Sequence, residues 1–250
     1  MGYYSFTGYF SYLIWMLPAI LLSLIAQYLV NSAYNKNSKI QNTRGLTGAE
    51  AARQVLLNNG ISNVSIVPVA GKLTDHFDPR TNTIHLSEGV FNSTTIAAVG
   101  IAAHEAGHAV QHAEGYIPNK IRGALVPVTN FGSKIGWILI IIGLAMSGYY
   151  YYYDSVSTAS TTYELGGVLL FIGILLYSTA FLFTLVTLPV EFNASRRALS
   201  TIKERNLLSE QQIGGARATL TAAALTYVAA AVTALLQLLR ILMIAKQRRR

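Results

Sequence analysis

Two histidines and a glutamate occur at a spacing that suits metal binding and hydrolysis. The sequence His-Glu-Ala-Gly-His occupies positions 104–108, inside a run that predicts a helix over 94–113. Residues four apart lie on one face of a helix, so the imidazoles of His104 and His108 can bind one ion. Glu105 lies beside them and can take a proton from water that zinc has made acidic. The pattern predicts two zinc ligands and a general base.

Glu191 is the strongest candidate for a third metal ligand. A catalytic zinc site normally has three protein ligands and leaves the fourth position to water. Glu191 directly follows an apolar run, and the small residues after it allow its helix to approach Gly107 closely. The alternative is an interfacial acid that is neutralised by Arg196 or Arg197. The sequence leaves both interpretations open.

The three remaining histidines are weaker candidates. His112 continues the same helix face but lies about 6 Å further along the axis, at 1.5 Å per residue. It could support the metal ligands from a distance, but we expect it to be a polar end of the helix. His76 and His85 lie in a predicted turn and strand, and either could bind the metal only if that strand folded over the site.

The composition predicts a membrane protein. Only 12% of the 250 residues are charged and 52% are hydrophobic, with a mean hydropathy of +0.39, so the chain cannot cover a soluble surface. Three runs have the roughly 20 apolar residues that a membrane span needs, at 9–30, 135–153 and 165–190. A softer fourth run, 220–245, is left open. With no cysteine, disulfides and thiolate ligands are excluded.

The basic residues predict which parts of the chain face the cytoplasm. Nine lie between the first and second spans, five between the third span and the fourth run, and five from Arg240, inside the fourth run, to the end. By the positive-inside rule, residues 31–134 and 191–217 are cytoplasmic, and the amino terminus and residues 154–164 are outside. If the fourth run crosses, the basic tail lies outside, against the rule. Signals for membrane topology account for nearly all of the net charge of +8. Nucleic-acid binding is not needed to explain it.

The segment between the first two spans reads as a small α+β domain. Residues 47–50 have the pattern of a capping box before an amphipathic helix. A strand over 64–69 is expected either at a sheet edge or with a bulge, because Pro68 lacks the N–H group that a central strand needs. A turn at 78–82 leads to a second strand at 83–87, whose edge we expect to align an extended substrate.

Three blocks of the sequence resemble one known family. Residues 73–80, 102–111 and 188–198 are similar to the membrane-anchored neutral zinc metallopeptidases of the YugP type. The blocks occur in the same order, and the resemblance covers almost the whole chain. Two positions depart from the family pattern: Asn193 stands where aspartate is expected, and His112 replaces a usually acidic residue. Neither departure removes a ligand.

The resemblance implies a fold and a set of functional residues. The implied fold is an α-helical membrane protein with a small α+β zincin-like catalytic domain, three transmembrane helices and a possible fourth. The cofactor is Zn²⁺, with His104, His108 and Glu191 as ligands in the gluzincin arrangement of HtpX-like membrane proteases. Glu105 is the implied catalytic acid/base. The location is the bacterial inner membrane, with several spans and the site facing the cytoplasm.

The expected function is hydrolysis of peptide bonds in a protein or peptide substrate at the cytoplasmic membrane surface. The alternatives are a non-catalytic zinc-binding scaffold and a protease that cleaves within the bilayer. His76, Arg197 and Tyr227 are candidates to stabilise the oxyanion. Besides lipid, membrane-protein partners or a homo-oligomer are possible, and no nucleic acid is expected.

The expected organisation has six segments. They are a transmembrane anchor (9–30), a cytoplasmic catalytic domain (31–134), two transmembrane helices (135–153 and 165–190), a cytoplasmic helix with the third ligand (191–217) and a membrane-associated or transmembrane helix with a basic tail (218–250).

Overall fold

The computed structural model describes residues 2–150 and 158–247, with side chains for 14–146 and 161–246. Residues 151–157, which contain the end of the predicted second span and part of the predicted outer loop, lie outside the described residues, as do the last three residues of the basic tail. The elements are α1 (Gly2–Asn37), α2 (Gly48–Asn58), β1 (Ser65–Val69), β2 (His76–Asp78), β3 (Thr83–Ser87), α3 (Glu88–Phe91), α4 (Ile96–Ala113), α5 (Ile117–Tyr150), α6 (Thr158–Glu204) and α7 (Glu210–Gln247).

The chain divides into two compact units. A helical unit comprises Met1–Leu22, Ile121–Val186 and Ala229–Arg250, and an α+β unit comprises Ser23–Lys120 and Thr187–Val228. Within the described residues, four helices are long and apolar enough to cross a membrane: Ile14–Asn37, Ile117–Met146, Thr161–Glu204 and Glu210–Lys246. The fold class is confirmed: the chain is a helical membrane protein with a small α+β domain. The fourth run has the length and apolarity of the other three.

Glycines bring α5 and α6 together in the helical unit. A Cβ atom on Gly136 would lie 2.7 Å from the backbone nitrogen of Tyr177, and one on Gly143 would lie 2.6 Å from that of Leu170. On the opposite helix, a Cβ atom on Gly173 would lie 2.8 Å from the carbonyl oxygen of Gly136. The two backbones are therefore in direct contact, as is common where lipid removes the hydrophobic drive for helices to associate.

The last part of α7 packs in the same unit. The Tyr177 hydroxyl donates a hydrogen bond to Gln237 Oε1 at 2.7 Å, and Ile241 packs with Ile140 and Leu170. Along α6, Tyr177 contacts Gln237 and the earlier Leu170 packs with the later Ile241. The two helices are therefore antiparallel here. Gln237, a polar residue within the fourth run, is thus hydrogen-bonded to a tyrosine inside the helical unit.

The sheet of the α+β unit has the strand order β1-β3-β2. β1 pairs with β3 in parallel, and β2 pairs with β3 antiparallel. β1 is an edge strand, as Pro68 predicted. The expectation that residues 83–87 offer a strand edge to a substrate is wrong, because β1 and β2 occupy both sides of β3. The sequence showed no sign of β2, which is only three residues long.

The capping box that begins α2 is present. Thr47 accepts a hydrogen bond from the Glu50 backbone at 3.2 Å, and the Glu50 carboxylate accepts one from the Thr47 backbone at 2.8 Å. These bonds, from the Thr47 backbone first and its side chain second, hold the pKa of Glu50 below its ordinary value. The helix ends before Gly60, whose φ of +69° suits glycine. α2 therefore has both ends fixed and buries Val55 in the core of the unit.

α4 carries the metal-binding motif through the centre of this core. Its N-cap residue, Thr95, accepts a hydrogen bond from Ala98 at 3.3 Å, and the helix ends at Ala113 as expected. Most of its residues are buried, including Val99, Ala103 and Val110. A helix that is packed on nearly all sides cannot rotate, so the orientation of its histidines is fixed by the core.

Candidate metal centre

His104, His108 and Glu191 come together in the α+β unit. One ligand atom from each lies within 4.8 Å of the others. Glu191 Oε2 is 3.2 Å from His104 Nε2 and 3.5 Å from His108 Nε2, and the Glu191 side chain is only 2% exposed. A carboxylate this deeply buried is stable only if it is paired or binds a metal. The two imidazoles and one carboxylate form the donor set of a zinc site.

Helix α6 brings Glu191 to α4 through a contact between backbones. A Cβ atom on Gly107 would lie 2.7 Å from the carbonyl oxygen of Ala194. Ala194 and Ala198 are fully buried at this crossing. The sequence predicted the close approach from these small residues, and the structure confirms it. Any larger residue at position 107 would push Glu191 away from the histidines.

The other nitrogen of each imidazole is held by a neighbouring polar side chain. The Ser195 hydroxyl lies 3.0 Å from His104 Nδ1, and Gln111 Oε1 lies 3.0 Å from His108 Nδ1. An Nδ1–H donating to these oxygens leaves the Nε2 atom of each ring unprotonated towards Glu191. Such partners normally fix the orientation and tautomer of zinc-binding histidines. The surroundings of the three residues therefore fit a zinc ion.

Gln111 links α4 to α6 as well as holding His108. It is completely buried, and its Nε2 donates to the Val190 carbonyl at 2.8 Å and to Asn193 Oδ1 at 3.0 Å. Asn193 also accepts a hydrogen bond from Arg197 Nε at 2.7 Å. The acceptor oxygen that Asn193 shares with aspartate is thus in use, which explains why this departure from the family pattern is tolerated.

Arg197 has a different role from those that the sequence suggested. Its guanidinium group makes two hydrogen bonds to the Glu114 carboxylate, at 2.9 Å and 2.7 Å. Its Nε donates to Asn193 Oδ1, the oxygen that also accepts a hydrogen bond from Gln111. All three guanidinium nitrogens are therefore used at the end of α4 and at Asn193. The interpretation of Arg197 as the counter-ion of Glu191 is not needed, since Glu191 faces His104 and His108.

Glu105 lines a cavity that opens on the metal centre. The cavity has a volume of about 140 Å³, and His104, Glu191 and Tyr227 also line it. Glu105 is only 9% exposed, and within the described part of the chain its carboxylate accepts no hydrogen bond. A buried carboxylate that faces a cavity without a protein partner is suited to bind water or substrate. Tyr227 is the only one of the three oxyanion candidates among the residues that line this cavity.

The remaining histidines do not take part. Among the described residues, the metal-binding group contains neither His76, His85 nor His112. The rings of His76 and His85 stack on each other at 4.6 Å across the paired strands β2 and β3. His112 lies against Phe77, with the ring centroids 5.7 Å apart. Each histidine is accounted for by a local ring contact.

Gln111 and Ser195 are the functional residues that the sequence did not reveal. The signal for Gln111 was weak but present: an amide in an alanine-rich helix, three residues after a candidate ligand, requires a buried partner. Ser195 carried no comparable signal, because a small residue at a helix crossing is explained by packing alone.

The fold and the site together define a membrane protein with a zinc-peptidase centre. Residues 12–246 match the model of the family described as "Putative neutral zinc metallopeptidase", and the chain belongs to this family. It is 41% identical over 228 residues to the "Putative membrane protease YugP" of Bacillus subtilis (strain 168), a match that covers 91% of this chain and 93% of the relative. No solved structure matches the chain. The family and the donor set agree that the cofactor is zinc.

Proposed function

We propose that the protein hydrolyses peptide bonds at the cytoplasmic surface of a bacterial inner membrane. In this proposal His104, His108 and Glu191 hold zinc in a gluzincin arrangement, and Glu105 is the catalytic acid/base. The observation that carries the proposal is the position of Glu105: it is buried, faces the cavity and lies beside the ligand group. Among the described residues its carboxylate has no hydrogen-bond partner, so a chemical role explains its position better than a stabilising one.

The residues of the chain divide the chemical work between them. When bound, zinc supplies a Lewis acid that polarises the substrate carbonyl and lowers the pKa of water. Glu105 accepts the proton of the attacking water and transfers it to the leaving amine. Ser195 and Gln111 keep the two imidazoles in position. Tyr227 is the proposed donor to the carbonyl oxygen as negative charge develops there.

The two alternatives are supported less well. A structural zinc site is normally closed by four protein ligands, whereas the group found among the described residues has three. Cleavage within the bilayer would require the metal site to lie inside an apolar span. Glu191 instead follows such a run in the sequence and is succeeded by polar and basic residues.

Glu105→Gln is the decisive test of the proposed chemistry. Glutamine keeps the size of the side chain but cannot accept a proton, so turnover should fall at least about 100-fold. Zinc content should stay stoichiometric, because glutamine leaves the three ligands unchanged. The measurement is cleavage of a casein-type substrate by purified protein, with and without chelator, together with metal analysis.

A matched control is Glu88→Gln, which changes an exposed glutamate of α3 in the same unit. It should retain both wild-type cleavage and zinc. Wild-type turnover in Glu105→Gln would disprove the role of Glu105. Stoichiometric zinc without any chelator-sensitive cleavage by the wild-type protein would favour the scaffold.

The proposed orientation can be tested by cysteine labelling, because the chain has no cysteine of its own. Cysteines at Asn82 and Ser209, on the side predicted to be cytoplasmic, should react with a membrane-impermeant thiol reagent only after lysis. A cysteine at Thr161, within the predicted outer loop, should react in intact cells. The reverse pattern would place the metal site outside.

A further inference from the structure

A groove lined by basic residues lies between α6 and α7 in the α+β unit. It has a volume of about 520 Å³, and its lining includes Arg196, Lys203 and Arg217. All three side chains are exposed, whereas Leu220 in the same lining is only 3% exposed. We call this feature the basic groove: an apolar floor flanked by three cations.

The basic groove adjoins the cavity of the metal centre. Ser195, Leu220 and Ala224 line both. Ser195 is also the residue whose hydroxyl lies 3.0 Å from His104 Nδ1. A bound chain that leaves the metal centre past Ser195 therefore enters the basic groove directly.

The two adjoining spaces carry opposite charge. Asp75, Glu105 and Glu191 line the cavity of the metal centre, and the described residues that line it include no lysine or arginine. The described lining of the basic groove, in turn, includes no acid. The neighbouring Glu204 is not among the lining residues. Its carboxylate accepts a hydrogen bond from Ser200 at 2.6 Å. A ligand that complements both spaces therefore carries negative charge on the side of the reacting bond that lies in the basic groove.

We propose that the basic groove binds acidic side chains of the peptide substrate on one side of the scissile bond. This proposal rests on the proposed peptidase function and adds a substrate class to it. The apolar floor accommodates the aliphatic parts of the peptide, while the three cations pair with its carboxylates. Exposed ion pairs contribute modestly and weaken with salt, so the groove selects among substrates without binding any of them tightly.

An anionic lipid headgroup is the competing occupant. The three cations lie close in sequence to the apolar runs of α6 and α7, where basic residues are common for reasons of topology. The walls shared with the metal centre favour the substrate, because a headgroup has no need to adjoin Ser195 and His104.

The test uses two peptides of the same sequence, one with three glutamates beside the cleavage site and one with glutamines. Cleavage is measured in neutral detergent without anionic lipid. Wild-type protein should show a kcat/KM about tenfold higher for the acidic peptide, as expected for three exposed pairs, and the preference should shrink at high salt. The triple variant Arg196→Gln/Lys203→Gln/Arg217→Gln should lose it.

Arg53→Gln is the matched control, since Arg53 is an exposed cation of α2 that lies outside the basic groove. This variant should keep the preference. The single variant Lys203→Gln should lose about a third of the preference on a logarithmic scale, and it replaces the triple variant if that variant does not retain zinc. Equal cleavage of both peptides by wild type, or a preference that survives in the triple variant, overturns the proposal.

Binding separates this proposal from the peptidase proposal. Fluorescence anisotropy with the two labelled peptides and zinc-loaded Glu105→Gln protein measures selection in the absence of cleavage. Tighter binding of the acidic peptide, lost in the triple variant, supports the groove even if no peptide is hydrolysed. Equal binding of both peptides, with phosphatidylglycerol vesicles bound by wild type and lost by the triple variant, assigns the groove to lipid and overturns the proposal.

Discussion

The two units hold their helices together in different ways. In the helical unit, α5 and α6 meet through glycines whose backbones touch, as at Gly136 and Gly143. In the α+β unit, α4 is surrounded by buried aliphatic side chains from α2 and from the end of α6. In water the hydrophobic effect drives apolar side chains of different helices together, but between apolar helices in lipid this driving force is absent. The two kinds of contact follow from that difference.

The metal centre uses the contact that is typical of the helical unit. The crossing of Gly107 and Ala194 is a direct backbone contact inside a unit whose core is built mainly from aliphatic side chains. Side chains can change rotamer and absorb small shifts, but two touching backbones leave little freedom. A ligand carboxylate that must stay within about 3–4 Å of two imidazoles benefits from such a crossing.

The largest effect is expected from the removal of Glu191. Glu191→Ala deletes one of three proposed ligands and leaves a cavity in a buried polar site. The cost in zinc affinity should exceed the ten- to hundredfold typical of residues that merely support a ligand. The variant should purify largely without zinc and without activity, while His112→Ala should keep both. Full zinc occupancy in Glu191→Ala, with loss in His76→Ala, would move the third ligand to the sheet.

The same substitution in both units tests the comparison directly. Gly107→Ala and Gly136→Ala each add one methyl group at a backbone contact of 2.7 Å, and each should cost about 1–3 kcal/mol through overpacking. Gly107→Ala should also lower zinc affinity, because it pushes α6 and Glu191 away from α4. Gly136→Ala should leave zinc bound and instead raise hydrogen exchange in α5 and α6.

Gly123→Ala provides the control, because a Cβ atom there meets nothing within 4 Å. It should be neutral or slightly stabilising, as alanine is in an open helix position. If Gly107→Ala and Gly136→Ala gave the same zinc affinity, the crossing at Gly107 would not position the metal centre.

Gln111→Ala tests the polar link between α4 and α6. It removes the partner of His108 Nδ1 and the side-chain donor to the Val190 carbonyl. Zinc affinity should fall about tenfold, the lower end for residues that orient a ligand. Gln111→Glu keeps an acceptor for His108 and should recover part of that affinity. Gln54→Ala, at an exposed position of α2, should change nothing; if Gln111→Ala bound zinc like wild type, the link would be structural only.

The smallest effect is expected at the capping box of α2, which is far from the metal-binding group in the sequence. Glu50→Ala should lower the free energy of unfolding by about 0.5 kcal/mol at neutral pH, with zinc affinity unchanged. Because its hydrogen bonds lower the pKa of folded Glu50, its contribution is complete above the ordinary pKa of about 4.3 and is lost as the pH falls below it. A difference from wild type that persists in acid would contradict this assignment.

The sequence predicted those features that local pattern determines. The spacing of His104 and His108, the capping box at Thr47, the edge position of Pro68 and the small residues near Glu191 each follow from one or two neighbouring residues. It failed where a long-range pairing decides the outcome. The edge status of β3 depended on β2, a strand too short to carry a pattern, and the partner of Gln111 lies 82 residues away in Asn193.

The separation of the ligands along the chain has a consequence for biosynthesis. His104 and Glu191 are 87 residues apart, and two of the apolar runs lie between them. At about 5–20 residues per second, the ribosome needs roughly 4–17 s to reach the third proposed ligand after it has made the first. Both runs are therefore synthesised before the third proposed ligand. A fragment that ends before the last of these runs is complete therefore lacks the third member of the metal-binding group.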